Sequence, residues 1–205
     1  MITIAVPELR RYAPDALRMV GIPIGQADEV ADMLVWTQAV TGAAVKFVQD
    51  NRARLNWRPQ PRPRVVDENA DEVVVDLRGG SLLEFGPRVF DFVQAETAAH
   101  GSRRVRARAV YGGIFLPYLV ARAAERGVHL DVSFPETPQG DFEPRGELTI
   151  EATRVPATPG ALQTDAYRSA VDRGIELSDA DFTTVIGLFE MLRVPTSERS
   201  RTHAG

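Results

Sequence analysis

Strand-like and helix-like patterns alternate along most of the second half of the chain, and this alternation limits the possible folds more than any other feature. Period-two or continuous apolar patterns, typical of strands, occur at residues 64–67, 72–77, 105–110, 128–134 and 147–153. Helical patterns separate several of them, at residues 87–100 and 114–126. Such alternation predicts an α/β protein in which helices cover a mixed sheet.

The first quarter of the chain has a different pattern, with helical spacing and no strand signal. Apolar residues recur at helical intervals in residues 7–20, 25–40 and 44–55, and we expect Pro14 to end or kink the first of these helices. We therefore predict an N-terminal helical segment over residues 1–57. An α/β core over residues 58–195 follows it, closed by a C-terminal helix with Ser178 as its N-cap, and a flexible tail occupies residues 196–205.

Composition excludes several functional classes. The net charge of −4 argues against nucleic acid as a partner, because phosphate neutralisation requires a basic surface. The chain has no cysteine, which rules out disulfides, thiolate catalysis and cysteine-ligated zinc. Its three histidines show no metal-ligand spacing, and no apolar run is long enough for a membrane span. We expect a soluble, cytoplasmic protein.

Lys46 is the one lysine among 24 basic residues, the others all being arginine. A lysine amine can be tuned into a base or nucleophile, whereas arginine stays protonated. Lys46 falls in the first turn of the helix predicted over residues 44–55, where the helix dipole disfavours a cation, so we expect it to lose its proton more easily than an ordinary lysine. The alternative is that the codon bias of a GC-rich bacterial source left one lysine by chance.

Several short motifs occur in a recognisable order along about four fifths of the chain. They are Gly21-Ile22-Pro23, the helix pattern Ala27, Val30, Ala31, Leu34 and Val35, the segment Gly42–Val48, the proline-rich Pro61–Val66, the segment Tyr111–Tyr118 and Arg154-Val155-Pro156. In this order they resemble the malate/L-lactate dehydrogenase family that includes sulfolactate and diketogulonate reductases. The resemblance implies a shortened form of that family's scaffold.

The resemblance also points to candidate site residues. Lys46 corresponds to the histidine of the family's S-H-G motif, its usual candidate proton donor, and Asp50 corresponds to an arginine. Tyr111 replaces the histidine of the H-F-G motif. We therefore predict Lys46, Tyr111 and Asp50 as catalytic residues. The predicted substrate-binding residues are Tyr118, Arg108 and Trp36. The alternative is that the tyrosines are packing residues and that Lys46 and Asp50 are solvated surface charges.

The chain lacks much of the sequence with which the resembling family binds its nicotinamide cofactor. Relative to the family, sequence is missing between Phe134 and Glu151, where the family carries most of its nicotinamide-binding and lid elements. No G-x-G-x-x-G motif replaces them, and we interpret Gly79-Gly80 and Gly112-Gly113 as turns. We therefore expect no cofactor; NAD(P) is possible but disfavoured.

Three functions remain open. The first is a cofactor-independent enzyme of small-metabolite tailoring, which would carry out proton transfer, elimination or cyclisation. The second is a non-catalytic subunit: family members are dimers whose active site draws on both chains, so a homodimer or a complex with a second protein is expected. The third is an NAD(P)-dependent reductase of 2-oxo acids or imines.

Overall fold

A computed structural model describes residues 1–55, 63–134 and 146–190, with side chains described as far as residue 187. It has the α/β fold expected from the alternating pattern, with a mixed sheet and helices packed on it. The helices are α1 (Val6–Met19), α2 (Ile24–Thr41), α3 (Ala44–Leu55), α4 (Leu82–His100), α5 (Leu116–Glu125), α6 (Asp165–Arg173) and α7 (Asp179–Glu190). The strands are β1 (Ile2–Ile4), β2 (Arg64–Glu68), β3 (Glu72–Ser81), β4 (Ser102–Tyr111), β5 (Val128–Ser133), β6 (Gly146–Arg154) and β7 (Ile175–Leu177).

The main sheet has five strands in the order β2-β3-β4-β6-β5. β3 and β4 are parallel and are joined by the crossover helix α4, whereas the other neighbouring pairs are antiparallel. A two-stranded sheet pairs β1 with β7, which the sequence did not indicate because each has three residues. Parallel β3 and β4 therefore end at the same edge, with Ser81 opposite Tyr111.

The two faces of the main sheet differ in character. α4 and α5 pack on one face, where Val73, Val105 and Ile150 are buried. The opposite face carries a row of arginines on β4, each paired with glutamates of neighbouring strands. One hydrophobic cluster extends from Ile4 to Val185 and joins the N-terminal helices to the helix-covered side of the sheet.

Two prolines lie inside helices that the sequence placed differently. α1 continues through Pro14, and α4 begins five residues before Pro87, which we had predicted as its start. In α1, burial of Leu9 and Leu17 on both sides of the proline offsets the lost hydrogen bond. In α4, the true start is fixed by Ser81, whose hydroxyl accepts from the Glu84 amide while the Glu84 carboxylate accepts from the Ser81 amide.

Gly79-Gly80 is not the turn that we predicted. β3 continues to Ser81 across an irregularity in its register between Asp76 and Gly80. Arg78 and Gly79 have φ values of 54° and 82°, and the Asp76 carboxylate accepts a hydrogen bond from the Arg78 amide at 2.7 Å. The bulge lets the strand resume and deliver Ser81 to the start of α4.

One helix-cap prediction agrees with the structure, and three predicted segments fall partly or wholly on residues that it does not describe. Ser178 is the N-cap residue of α7, since its hydroxyl accepts from the Asp181 amide at 3.0 Å. We expected a proline-rich linker at residues 58–64 and an internal boundary at residues 135–146; residues 58–62 and 135–145 of these, and the tail at residues 196–205, lie outside the described residues. Within the described ranges, every helix is too short or too polar to cross a membrane.

Candidate functional site

Lys46 lies in the first turn of α3, as predicted, but it does not have the expected electrostatic environment. Its Nζ donates to both carboxylate oxygens of Asp50, one turn away, at 2.8 and 3.1 Å. Both side chains are more than half exposed. The hydrogen bond to Asp50, and then the charge of Asp50, raise the pKa of Lys46 above its ordinary value. The expectation of easier deprotonation is therefore wrong, and Lys46 is present as an ammonium ion.

Tyr111 ends β4 and lies against α3. Its ring stacks on Phe47 with ring centroids 5.8 Å apart. Burial, followed by the charge of Glu84, raises the pKa of Tyr111 to about 12, although the hydrogen bond with Ser81 acts in the opposite direction. The phenol is therefore protonated at neutral pH and acts as a hydrogen-bonding group.

We call Lys46, Phe47, Asp50, Ser81, Glu84 and Tyr111 the carboxyl-edge cluster, because β3 and β4 both end there. Ligands of open α/β sheets commonly bind outside the carboxyl ends of parallel strands. Among the described contacts, Lys46 pairs with Asp50 and Tyr111 stacks on the neighbouring Phe47, but no hydrogen bond joins Lys46 to Tyr111. Lys46 and Asp50 thus form an exposed pair on α3, while Tyr111 contacts the neighbouring Phe47, and no described contact joins the three predicted catalytic residues.

The predicted substrate-binding residues Trp36 and Tyr118 meet at a different place. Their rings are 5.7 Å apart in an edge-to-face arrangement, and both line a polar cavity of about 260 Å³. We call this the helix cavity; its other lining residues are Arg10, Asp32, Arg122, Glu125, Leu162, Gln163 and Tyr167. None of the predicted catalytic residues lines it. The structure therefore separates the predicted catalytic residues from the two aromatic binding residues.

Arg108, the third predicted binding residue, belongs to neither place. It lies on the charged face of the main sheet, where its Nε is 3.2 Å from a carboxylate oxygen of Glu147. Arg106 pairs with the same glutamate at 3.2 Å. Arg108 is therefore part of a row of ion pairs across strands. This pairing explains an arginine at this position without a substrate.

Sequence reasoning missed the charged residues of the helix cavity. Arg10, Asp32, Arg122 and Glu125 come from three helices, α1, α2 and α5, and no motif connects them. The only local signal was spacing: Asp32 and Trp36 are four residues apart, and Arg122 and Glu125 are three apart, so each pair shares a helix face. Helix packing then brings the two faces together.

Tyr118 is a buried titratable group of the helix cavity. Burial raises its pKa to about 12. The charge of Arg122 lowers the pKa and that of Asp32 raises it, and both effects are smaller than that of burial. Its phenol is therefore a proton-bearing group at the cavity wall. Within the described residues, no three histidine, aspartate or glutamate side chains are grouped to hold a metal ion.

The glycines at the carboxyl edge do not form a phosphate cradle. In a dinucleotide-binding loop, glycines leave space for the backbone to approach the pyrophosphate. Here a Cβ on Gly80 would lie 2.2 Å from the ring of Phe85, and one on Gly113 would lie 2.7 Å from the ring of Phe134. One on Gly112 would lie 3.1 Å from Phe47. The protein's own phenyl rings occupy these spaces, so packing within the protein is the reason that these positions are glycine.

The chain was compared with known proteins in three ways. No family model matches the sequence, and no curated protein matches it. Solved structures do match. A protein of E. coli proposed to be a malate/lactate dehydrogenase aligns over 98% of this chain and 98% of its own length, with a TM-score of 0.70 and 10% identity. A dehydrogenase from Sinorhizobium meliloti aligns over 92% of this chain and 99% of its own length, with a TM-score of 0.70 and 12% identity.

A third match indicates how much of a larger enzyme this chain corresponds to. Malate dehydrogenase from Entamoeba histolytica aligns over 65% of this chain, with a TM-score of 0.54 and 16% identity, and the alignment spans 38% of that enzyme. At these identities the similarity shows the fold alone. The chain has the fold of the malate/lactate dehydrogenase-like proteins, and the resemblance inferred from its sequence motifs is confirmed at that level.

The two buried phenols make a testable prediction. Tyr111 and Tyr118 should ionise near pH 12 and not near the ordinary value of 10.0. Because the folded-state pKa is raised, each phenol favours the folded state below about pH 10, and this contribution is lost as the pH rises from about 10 to about 12. The measurement is the ultraviolet absorbance of phenolate during rapid alkaline titration.

Tyr111→Phe and Tyr118→Phe should each remove one late transition, and the double variant should remove both. Tyr12→Phe is the control and should leave both transitions in place. Ionisation of both phenols near pH 10 in the folded protein would show that they are not buried as described.

Proposed function

We propose that this protein is a cofactor-independent enzyme, or enzyme subunit, that handles a proton on a small metabolite bound in the helix cavity. The observation that carries the proposal is the convergence of Trp36, Tyr118 and four charged side chains around one cavity of about 260 Å³. A concave site with a few convergent polar groups is the usual form of a small-molecule site. Proton transfer needs only groups of this kind, whereas dehydrogenase chemistry would also require a bound nicotinamide.

The cavity contains groups suited to acid–base chemistry. The protonated phenol of Tyr118 can donate a hydrogen bond to a substrate oxygen. The carboxylate of Glu125 can accept a proton from a carbon next to a carbonyl or carboxyl group, leaving the electron pair on the substrate as an enolate. Return of the proton to the same or a neighbouring atom completes an isomerisation or an exchange, with no oxidant or reductant required.

The position of the glycines supports a reaction without a nicotinamide. The spaces beside Gly80, Gly112 and Gly113 are filled by phenyl rings of the protein. This filling favours a scaffold that has been reused for chemistry other than hydride transfer.

The carboxyl-edge cluster is the second candidate location for catalysis. It is favoured by its place at the ends of two parallel strands. Lys46 would act there as a fixed cation, because its pairing with Asp50 keeps the amine protonated. Tyr111 would contribute a hydrogen-bond donor. A role for Lys46 as base or amine nucleophile would require Asp50 to move away first.

One exchange experiment tests the proposal and distinguishes the two locations. The protein is incubated in heavy water, without nicotinamide, with a panel of 2-oxo acids, amino acids and cyclic imino acids, and deuterium incorporation is followed by proton NMR. At least one member of the panel should exchange. Tyr118→Phe and Glu125→Gln should each slow the exchange by about 100-fold, the usual contribution of a positioned acid or base.

The matched controls are a tyrosine outside the cavity and a cation on α3. Tyr12→Phe and Arg52→Met should exchange at the wild-type rate. If Lys46→Met slows the exchange while Tyr118→Phe does not, catalysis belongs to the carboxyl-edge cluster. Absence of exchange across the whole panel would contradict the proposed chemistry.

A second proposal concerns assembly, and it rests on strand β2. Of the described strands, β2 forms one edge of the main sheet, and all five of its residues are exposed. Val65 and Val66 are each about half exposed. Arg64 and Glu68 lie two residues on either side of Val66, where the pairing of β2 with β3 is irregular, so two antiparallel copies of β2 centred there would bring Arg64 of one copy near Glu68 of the other. Self-complementary charges and an apolar centre favour a homodimer formed by sheet extension.

Sedimentation velocity tests this assembly. The wild-type chain should sediment as a dimer, and Val66→Lys should sediment as a monomer, because two lysines would face each other at the centre of the paired strands. Val171→Lys, which places the same charge at an exposed valine on α6, should remain a dimer. A dimer that persists in Val66→Lys, or a monomeric wild type, would rule out pairing through β2.

A further inference from the structure

The helix cavity has walls that are fixed by hydrogen bonds and is not an accidental gap between helices. The Trp36 indole Nε1 donates to the Leu162 carbonyl at 2.7 Å, and the Leu162 amide approaches Glu125 Oε1 at 3.4 Å. The Thr158 amide donates to the Ala124 carbonyl at 2.8 Å. The segment before α6 is therefore attached to both α2 and α5, and these hydrogen bonds fix that wall of the cavity.

The cavity is lined by two ion pairs and so carries charges of both signs. Arg10 Nε lies 2.8 Å from Asp32 Oδ1 on one side, and Arg122 Nη1 lies 3.3 Å from Glu125 Oε2 on the other. Two guanidinium groups and two carboxylates thus surround one space, and their formal charges cancel. A ligand with one charge would meet as many like charges as opposite ones. A ligand with both charges can match them.

Hydrogen-bonding capacity remains at the walls. The Nε of Arg122 is buried and has no partner in the described structure. The Tyr118 hydroxyl is not among the buried unsatisfied atoms, and it stays protonated because burial of the ring raises its pKa, so it is a donor at the open side of the cavity. A buried donor without a partner is costly, and a ligand carboxylate or carbonyl can satisfy it.

Size and apolar surface restrict the ligand further. A cavity of about 260 Å³ exceeds the ~150 Å³ that holds benzene in an engineered protein, and it lies below the usual range for drug-sized ligands. The edge-to-face pair of Trp36 and Tyr118 supplies one apolar wall. The cavity can therefore hold a small molecule that has two charged groups and a modest apolar part.

We infer that the helix cavity binds a small zwitterion of the α-amino acid class. The ligand carboxylate lies between the guanidinium groups of Arg10 and Arg122, its ammonium lies by the carboxylate of Asp32, and its side chain packs on Trp36 and Tyr118. This inference names the substrate class of the site in the proposed function and rests on that proposal. Monocarboxylic acids without an amine, and amines without a carboxylate, should bind more weakly because each carries only one of the two charges.

The test is ligand binding to the 205-residue chain. The twenty L-amino acids are first screened by the shift that each causes in the thermal unfolding midpoint, since a ligand of the folded state stabilises it. The best ligand is then compared by calorimetry with two analogues of the same side chain, one without the ammonium and one without the carboxylate. Each analogue should bind at least tenfold more weakly than the amino acid.

Variants then locate the binding. Asp32→Asn and Arg122→Gln should each weaken the binding at least tenfold, and Arg104→Gln, an exposed cation on the charged face of the sheet, should not change it. Asp32 is half exposed, so we expect Asp32→Asn to fold normally. This variant therefore tests the inference even if Arg122→Gln impairs folding.

Two results would overturn the inference. One is a screen in which no amino acid shifts the midpoint; the other is an analogue with a single charge that binds as tightly as the amino acid. If a 2-oxo acid exchanges deuterium through Tyr118 while no amino acid binds, the proposed site stands and the zwitterion inference fails. If an amino acid binds in the cavity but nothing exchanges, the binding inference stands and the proposed chemistry fails.

Discussion

Burial of helix α2 is the constraint on which the rest of the structure depends. Every residue from Met33 to Gln38 is buried, and α2 packs against α1, α3, α4, α5 and α6. A helix that is apolar nearly all round is stable only when other elements surround it. The same short stretch of α2 also sets both candidate sites. Trp36 forms a wall of the helix cavity, and the Gln38 side chain accepts a hydrogen bond from the Val45 amide at the start of α3.

The architecture was largely predictable from sequence, because it follows from apolar spacing and helix caps. α2, the core strands and the Ser178 cap agree with those signals. The start of α4 was placed wrongly because proline is common in the first turn of a helix. The capping box of Ser81 and Glu84, which marks the true start, lies earlier in the sequence. Gly79 was interpreted as a turn because a bulge and a turn require the same positive φ.

The site was less predictable, for two physical reasons. The pKa of Lys46 was expected to fall because of the helix dipole, but a carboxylate four residues later has a larger effect than the dipole, and the i,i+4 spacing of Lys46 and Asp50 was already visible. The helix cavity combines charges from α1, α2 and α5, so it exists only after the helices pack. A dehydrogenase-like fold is thus accompanied by a polar cavity that lies apart from the positions where the family resemblance placed catalytic residues.

The central claim is that this dehydrogenase-like scaffold works without a nicotinamide. Calorimetric titration with NADH and with NADPH tests it most directly, because binding is measured whether or not the substrate is known. We predict no saturable binding of either dinucleotide at millimolar concentration, and no oxidation of either when 2-oxo acids or cyclic imines are added. Micromolar binding together with turnover of those substrates would contradict the account.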